Sequence, residues 1–287
     1  MTETHTVEAA EKAAEHGPGA FDPGSSILHH ILDSNYIEVP FTQYKIPLPH
    51  IQLPEALGGF DISITKHVVM MWLVCVILLV AFTVAARRRS EAVPRGLRNM
   101  LEVIMVYIRN EVARKSIPEG ADRFVGYLMT TFFFILTCNL LGLIPGAATA
   151  TGNISVTAAL ALIAFFMIQL GGIREYGLIQ HFKNLVPHGL PLWLIPIMFA
   201  LELLSTFIKP FALCIRLFAN MMAGHVVILA FISLIFILSD FWYAVAPLSV
   251  AFALFVYVLE ILVAFLQAYI FTMLTAQFIG MSVHPAH

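Results

Sequence analysis

The chain has 287 residues, of which 59% are hydrophobic and only 12% charged, about half the charged share of an ordinary soluble domain. That is too little polar surface for a soluble fold of this size, but it suits one whose outer face meets acyl chains. The formal net charge of -2 excludes little. Its distribution is more telling: residues 1–66 carry nine acids and three bases, and residues 87–123 nine bases and five acids. Residues 184–281 hold five charged side chains in all, Glu202, Lys209, Arg216, Asp240 and Glu260.

The first 26 residues are acidic and polar, with Gly, Pro and Ser, and have neither the basic start nor the apolar run of a signal peptide. They predict a flexible tail, and residues 1–66 together form an extracytoplasmic tail and lead-in. Residues 67–287 form the membrane domain. Its first span is the charge-free run 68–86, long enough to cross about 30 Å of hydrocarbon. Arg87, Arg88 and Arg89 end it, and basic residues close to a span favour the cytoplasmic side. The N-terminus is therefore expected outside.

Residues 95–115 alternate apolar and charged positions at helical spacing. Leu97, Leu101, Ile104, Ile108 and Val112 share one broad face, with Arg98, Glu102, Arg109 and Arg114 elsewhere. This predicts an amphipathic helix lying in the membrane interface. The second span is 124–144, ended by Pro145 and Gly146. The third is 154–173, which returns to a basic inner loop carrying Arg174 and Lys183.

From residue 190 the pattern changes. Residues 190–238 are apolar apart from a few polar positions and are interrupted by Pro191, Pro196 and Pro210. Residues 243–281 are apolar apart from a few polar positions, with Pro247 and Glu260 among the exceptions. A simple span needs about 20 residues. The surplus predicts a tilted or broken helix, or a re-entrant piece feeding a longer one. Two such segments joined by a tight turn at 239–242 make a long, strongly tilted hairpin lying against another protein. The fold expected is an all-α integral membrane protein with five spanning elements and one interfacial helix. An odd number of spans puts the C-terminus in the cytoplasm.

An ionised group at the bilayer centre costs a few kcal/mol, so the deep charges are the candidate site. Arg216 leads, because a guanidinium stays charged at any ordinary pH. Ala212, Ala219, Asn220 and Ala223 lie within about 60° of it on a helix. Small side chains let another helix approach closely, so this face suits a partner that slides past a fixed cation. The competing reading is a structural arginine paired with Glu202 or Glu260. His225 lies about 180° round the helix from Arg216. Imidazole titrates near neutrality and can pass protons. Glu260 is the only acid of the final long segment, and on an antiparallel hairpin it could share a depth with His225. Gln267, one heptad after Glu260, could hydrogen-bond Arg216 or water, or serve as a plain helix–helix contact. Glu202 and Lys209 precede Arg216 at sevens, a register that Pro210 interrupts; Lys209 could also snorkel to the interface.

Three motifs resemble subunit a of the F-type ATP synthases. Lys209-Pro210 followed by Arg216-Leu217-Phe218-Ala219-Asn220-Met221-Met222-Ala223-Gly224-His225 is similar to that family's arginine signature. Asn139-Leu140-Leu141-Gly142-Leu143-Ile144-Pro145 resembles its second-span motif, and Leu266-Gln267-Ala268-Tyr269-Ile270-Phe271 its last-helix motif. The acidic tail matches nothing in it. The resemblance implies a stator subunit with two aqueous half-channels that carry protons to carboxylates on a rotating c-ring. Arg216 would keep each carboxylate ionised and block a direct leak. Asn220, His225, Glu260 and Gln267 would serve ion translocation, with Glu202, Lys209 and Asn139 as secondary candidates. Many bacterial members carry Glu and His in the opposite order to His225 and Glu260, an exchange that keeps one acid and one imidazole. The implied partners are the c-ring, stator stalk subunit b, other subunits of the synthase and the bilayer.

Two other classes compete. A redox-complex subunit binding haem needs paired histidines at matched depth, and only His225 lies deep. A secondary transporter predicts repeated halves, which the sequence lacks. The three cysteines, Cys75, Cys138 and Cys214, have no metal or redox spacing and read as small buried hydrophobes. No cofactor, metal or nucleic acid is expected. The chain has no Gly-rich phosphate loop, so nucleotide chemistry would belong to partners. The bacterial inner membrane is the expected location, since the chain starts without an organellar presequence.

Overall fold

A computed structural model describes residues 36–38, 45–47, 65–87, 96–144, 149–183, 191, 193–238 and 241–284. The expected tail at 1–26, the arginines at 88 and 89, and the turn residues Pro145, Gly146 and Asp240 lie outside the described residues. The architecture is helical, as the composition requires. Five helices are long and apolar enough to cross a membrane. These are α1 (Lys66–Arg87), α4 (Asp122–Gly142), α5 (Ile154–Tyr176), α7 (Ile195–Ile237) and α8 (Trp242–Val283). Between them lie α2 (Leu97–Tyr107), a π-helical segment (Ile108–Ala113), α3 (Arg114–Ser116) and α6 (Leu178–Lys183).

Ahead of the all-α membrane domain, the lead-in contains an antiparallel pair of short strands, β1 (Tyr36–Glu38) and β2 (Lys45–Pro47), with Ile37 opposite Ile46. Strands of three residues are too short for a period-two pattern to announce them.

Chain contacts separate two units, one of residues 33–224 with 258–287, and one containing 225–257. The larger unit has a core built from α4. Its Leu128, Phe132, Phe133, Ile135 and Leu136 pack with Leu101, Ile108 and Val112 of the amphipathic segment, Ala164 of α5, Leu213 and Leu217 of α7, and Ala268 and Phe271 of α8. Leu101, Ile108 and Val112 are buried as the helical face predicted, but Leu97 is exposed. The π segment begins at Ile108, and such one-turn widenings inside α-helices tend to mark functional sites. Asn153 caps α5 by accepting the Ser155 N–H at 2.9 Å, and Gly177 closes the helix with φ 78°. That left-handed backbone favours glycine.

The long segment opening at 190 resolves to one unbroken helix. α7 has 43 residues and continues through Pro210; at about 1.5 Å per residue it is about twice as long as the hydrocarbon core is thick. Pro196 falls in its first turn, where a missing N–H costs nothing. α8 has 42 residues and likewise contains Pro247. In the smaller unit, between the end of α7 and the start of α8, the Phe241 N–H donates to the Leu238 carbonyl at 3.0 Å. Phe231 and Phe252 stack there with centroids 5.5 Å apart and planes 12° from parallel.

Candidate functional site

α7 places its side chains by turns. Leu213, Leu217 and Met221, spaced by four, are buried in the protein. The adjoining face carries Ala212, Arg216, Ala219, Asn220 and Ala223, all exposed. A fixed cation therefore stands on an open face of small side chains. Glu202, one of the two acids that could have claimed it, pairs instead with Lys209, at 3.8 Å. The Lys209 ammonium also sits 5.5 Å above the centre of the Phe278 ring. Lys209 is thus held by an ion pair and a cation–π contact, both favoured because a lone ammonium in apolar surroundings is costly. Among the described residues, Arg216 makes no ion pair.

Next to this face, two candidates meet. The Asn220 Nδ2–H donates to Gln267 Oε1 at 2.8 Å, joining α7 to α8. Gln267 is 2% exposed, and its Nε2 is buried with no hydrogen-bond partner among the described residues. Of the two readings of Gln267, a bond to Arg216 or water and a polar helix–helix contact, the structure shows the second. Gln267 turns to Asn220 because its buried side of α8 faces the flank of α7 beside the arginine. Glu260 is buried as well. Its carboxylate lies against Gly224, so closely that a Cβ on that glycine would overlap it. Gly224 is the residue before His225, which is half-buried and belongs to the smaller unit. Asn139 stands apart from this group: fully buried in α4, it accepts a hydrogen bond from Thr151 Oγ1 at 2.7 Å.

Two features escaped the sequence reading. Gly224 seats Glu260, and its only signal was a glycine in a helix interior, where it costs about 1 kcal/mol relative to alanine. Thr151 donates to the Asn139 carbonyl from a 3-10 turn, and nothing in a lone threonine announces that. Among the cysteines, Cys138 and Cys214 are buried, but Cys75 is exposed on α1. A helix meant for lipid leaves its apolar side chains, sulfur included, on the outside. The Thr157 hydroxyl lies 3.5 Å from the Cys214 sulfur, linking α5 to α7.

Five long apolar helices, an arginine with no ion pair among the described residues on an open face of α7, and a buried carboxylate and an amide–amide contact between α7 and α8 define a multi-pass membrane protein built to handle charge inside the bilayer. The family model described as "ATP synthase A chain" matches residues 68–280. Curated relatives called "ATP synthase subunit a" agree with it. That of Chloroherpeton thalassium is 48% identical over 267 residues, covering 91% of this chain and 77% of the relative. That of Chlorobium phaeobacteroides strain BS1 is 46% identical and covers 99% and 84%. That of Anaeromyxobacter dehalogenans is 47% identical and covers 96% and 76%. The chain belongs to the ATP synthase A chain family.

Proposed function

We propose that this chain is the proton-conducting stator subunit of a rotary F-type ATP synthase, coupling transmembrane proton flow to rotation and ATP synthesis. The observation that carries the reading is Arg216, exposed on small-residue helix surface within a 43-residue apolar helix. An arginine so placed calls for an external counter-charge. A ring of passing carboxylates supplies one transiently, and small neighbours let each carrier helix come close without interlocking.

In this mechanism Arg216 keeps the arriving carboxylate ionised and, as a permanent cation, bars protons from crossing directly between two half-channels. Asn220 and Gln267 hold the flank of that barrier through their mutual hydrogen bond. Glu260, seated on Gly224, and His225 are the titratable groups that hand protons to the ring from one side. Glu202 and Lys209 set the charge balance nearer the end of α7. Asn139, with Thr151, supplies polar lining nearer the end of α4. ATP is made on partner subunits, and this chain holds no nucleotide site of its own. Its partners are the c-ring along the open face of α7 and α8, stalk subunit b and the remaining subunits. The membrane is the bacterial inner membrane, as expected from relatives found in bacteria, with residues 1–66 outside, 67–287 forming the membrane domain and the C-terminus in the cytoplasm.

The test is ATP-driven proton pumping by reconstituted holoenzyme. Arg216→Ala is expected to abolish pumping while passive leak through the membrane sector persists or rises. Pumping at near-native rate would make the arginine structural and remove the centre of the reading.

A further inference from the structure

Arg216 acts on a partner only in the direction it faces, and that direction is set from the back of α7. At about 100° per residue, Cys214 and Phe207 lie about 160° and about 180° round the helix from Arg216. Both meet α5. The Thr157 hydroxyl oxygen lies 3.5 Å from the Cys214 sulfur, and the rings of Phe165 and Phe207 stack with centroids 5.5 Å apart. From Thr157 to Phe165 α5 advances about 12 Å, and from Cys214 back to Phe207 α7 covers about 10.5 Å. The nearly equal distances hold two antiparallel helices in one register. Between the two contacts α5 buries only Ala161 and Ala164, and small residues let a neighbouring helix approach closely. Ala164 packs in the core cluster that holds Leu213 and Leu217.

The contact nearer the arginine is the polar one. Thr157 and Cys214 are both buried. The Thr157 hydroxyl lies 3.1 Å from the Ile154 carbonyl and 3.5 Å from that of Asn153. A hydroxyl has one proton, and its own helix takes it, so the Cys214 thiol donates to a lone pair of the Thr157 oxygen. That oxygen is fixed in its turn. It stands in the first turn of α5, whose Asn153 cap accepts the Ser155 N–H. Just before the cap, Thr151 donates to Asn139 of α4. A line of held groups thus runs from α4 through the start of α5 to Cys214, two residues from Arg216. The direction of Arg216 is then the rotation of α7. At about 6 Å from a helix axis, a turn of about 30° carries a side chain about 3 Å sideways, the length of a hydrogen bond.

We propose that Thr157 is a positioning residue for Arg216: by holding Cys214 it fixes the rotation of α7, and with it the direction in which the guanidinium meets the passing carboxylates. The proposal rests on the proton-conducting reading above. α7 is a static rail with its back on α5, and the carboxylates do the moving. Thr157 is buried away from the open face and acts only through Cys214. Its loss turns the arginine off the line of the carboxylates, and protons then slip between the half-channels.

The experiment measures protons pumped per ATP hydrolysed by reconstituted holoenzyme in liposomes, for Thr157→Val and Thr157→Ser. Valine keeps the branched shape and removes the oxygen, and serine keeps the oxygen. Thr130→Val serves as control, since the exposed Thr130 hydroxyl donates to the Gly126 carbonyl of its own helix. The ratio reports only on complexes that turn over, so a loss of stability alone leaves it native. Positioning predicts a severalfold fall in Thr157→Val and ratios close to native in Thr157→Ser and the control. A native ratio in Thr157→Val, or an equal fall in Thr157→Ser, would overturn it. A second variant, Thr157→Cys, decides the matter even where Thr157→Val does not assemble. Mild oxidation of this holoenzyme should join the new thiol to Cys214, identified by peptide mapping, with the native ratio kept. Failure of the bond to form, or a ratio lost once it forms, would overturn the static rail. Arg216→Ala is run in parallel. If it is silent while Thr157→Val keeps a native ratio, the positioning role alone fails; if it pumps normally, the underlying reading fails.

Discussion

α4 and α7 are both apolar helices long enough to span a membrane, yet they use their surfaces in opposite ways. In its most apolar stretch α4 buries 44% of its residues inside the protein, and α7 only 11%. α4 turns two polar side chains inward, Thr131 and Asn139, buried among Leu128, Ile135 and Leu136. α7 buries Leu213 and Leu217 and keeps Arg216 outside. The contrast separates two uses of apolar sequence. α4 holds the unit together through close packing, and α7 offers a working surface. An arginine facing lipid alone would cost several kcal/mol, so the open side of α7 is a side that expects company.

Substitutions on the two helices should therefore fail differently. The largest effect is Arg216→Ala, which is expected to remove ATP-driven pumping while leaving unfolding of the purified complex unchanged. Leu128→Ala, at a fully buried position of α4, should do the reverse. It should destabilise by about 2–5 kcal/mol in denaturant unfolding and leave pumping per intact complex near native. If Leu128→Ala uncoupled the enzyme while Arg216→Ala destabilised it, the division of labour would be wrong.

Gly224→Ala tests the boundary between the two uses. The new methyl overlaps the Glu260 carboxylate, so the carboxyl must move, and pumping should fall severalfold with assembly intact. Unchanged pumping would show that Glu260 does not work from this seat. A smaller effect is expected for the hydrogen bond between Asn220 and Gln267. A double-mutant cycle with alanine at both positions should give a coupling of about 1 kcal/mol in unfolding free energy, and a coupling near zero would mean the contact is incidental.

The smallest effect concerns α6, outside the spans. His181 is buried, its Nε2 lies 2.8 Å from Gln169 Oε1, and its ring lies against Gly172. Burial lowers its pKa below the ordinary 6.5. Near that pH the unfolded chain binds more protons than the folded one, so stability rises with pH. The contribution is complete above about 6.5 and is lost as pH falls toward the lower folded value. His181→Gln should flatten this slope in unfolding measured from pH 5 to 8, and an unchanged slope would assign it to other groups.

Much of this could be read before any coordinates. The five spans and the amphipathic segment came from hydropathy, because within lipid each residue must be apolar on its own account and each backbone group satisfied within its helix. Arg216 stood out for the same reason, since the cost of a buried charge belongs to the charge itself. The strands at 36–38 and 45–47, the continuity of α7 through Pro210, and the choice between Asn220 and Arg216 as partner of Gln267 were not legible. Nor were the seat of Glu260 on Gly224 or the meeting of Thr157 with Cys214. These are pairwise matters, fixed by the rotation and register of one helix against another. A sequence lists its side chains in order along the chain, and only packing decides which of them meet across it.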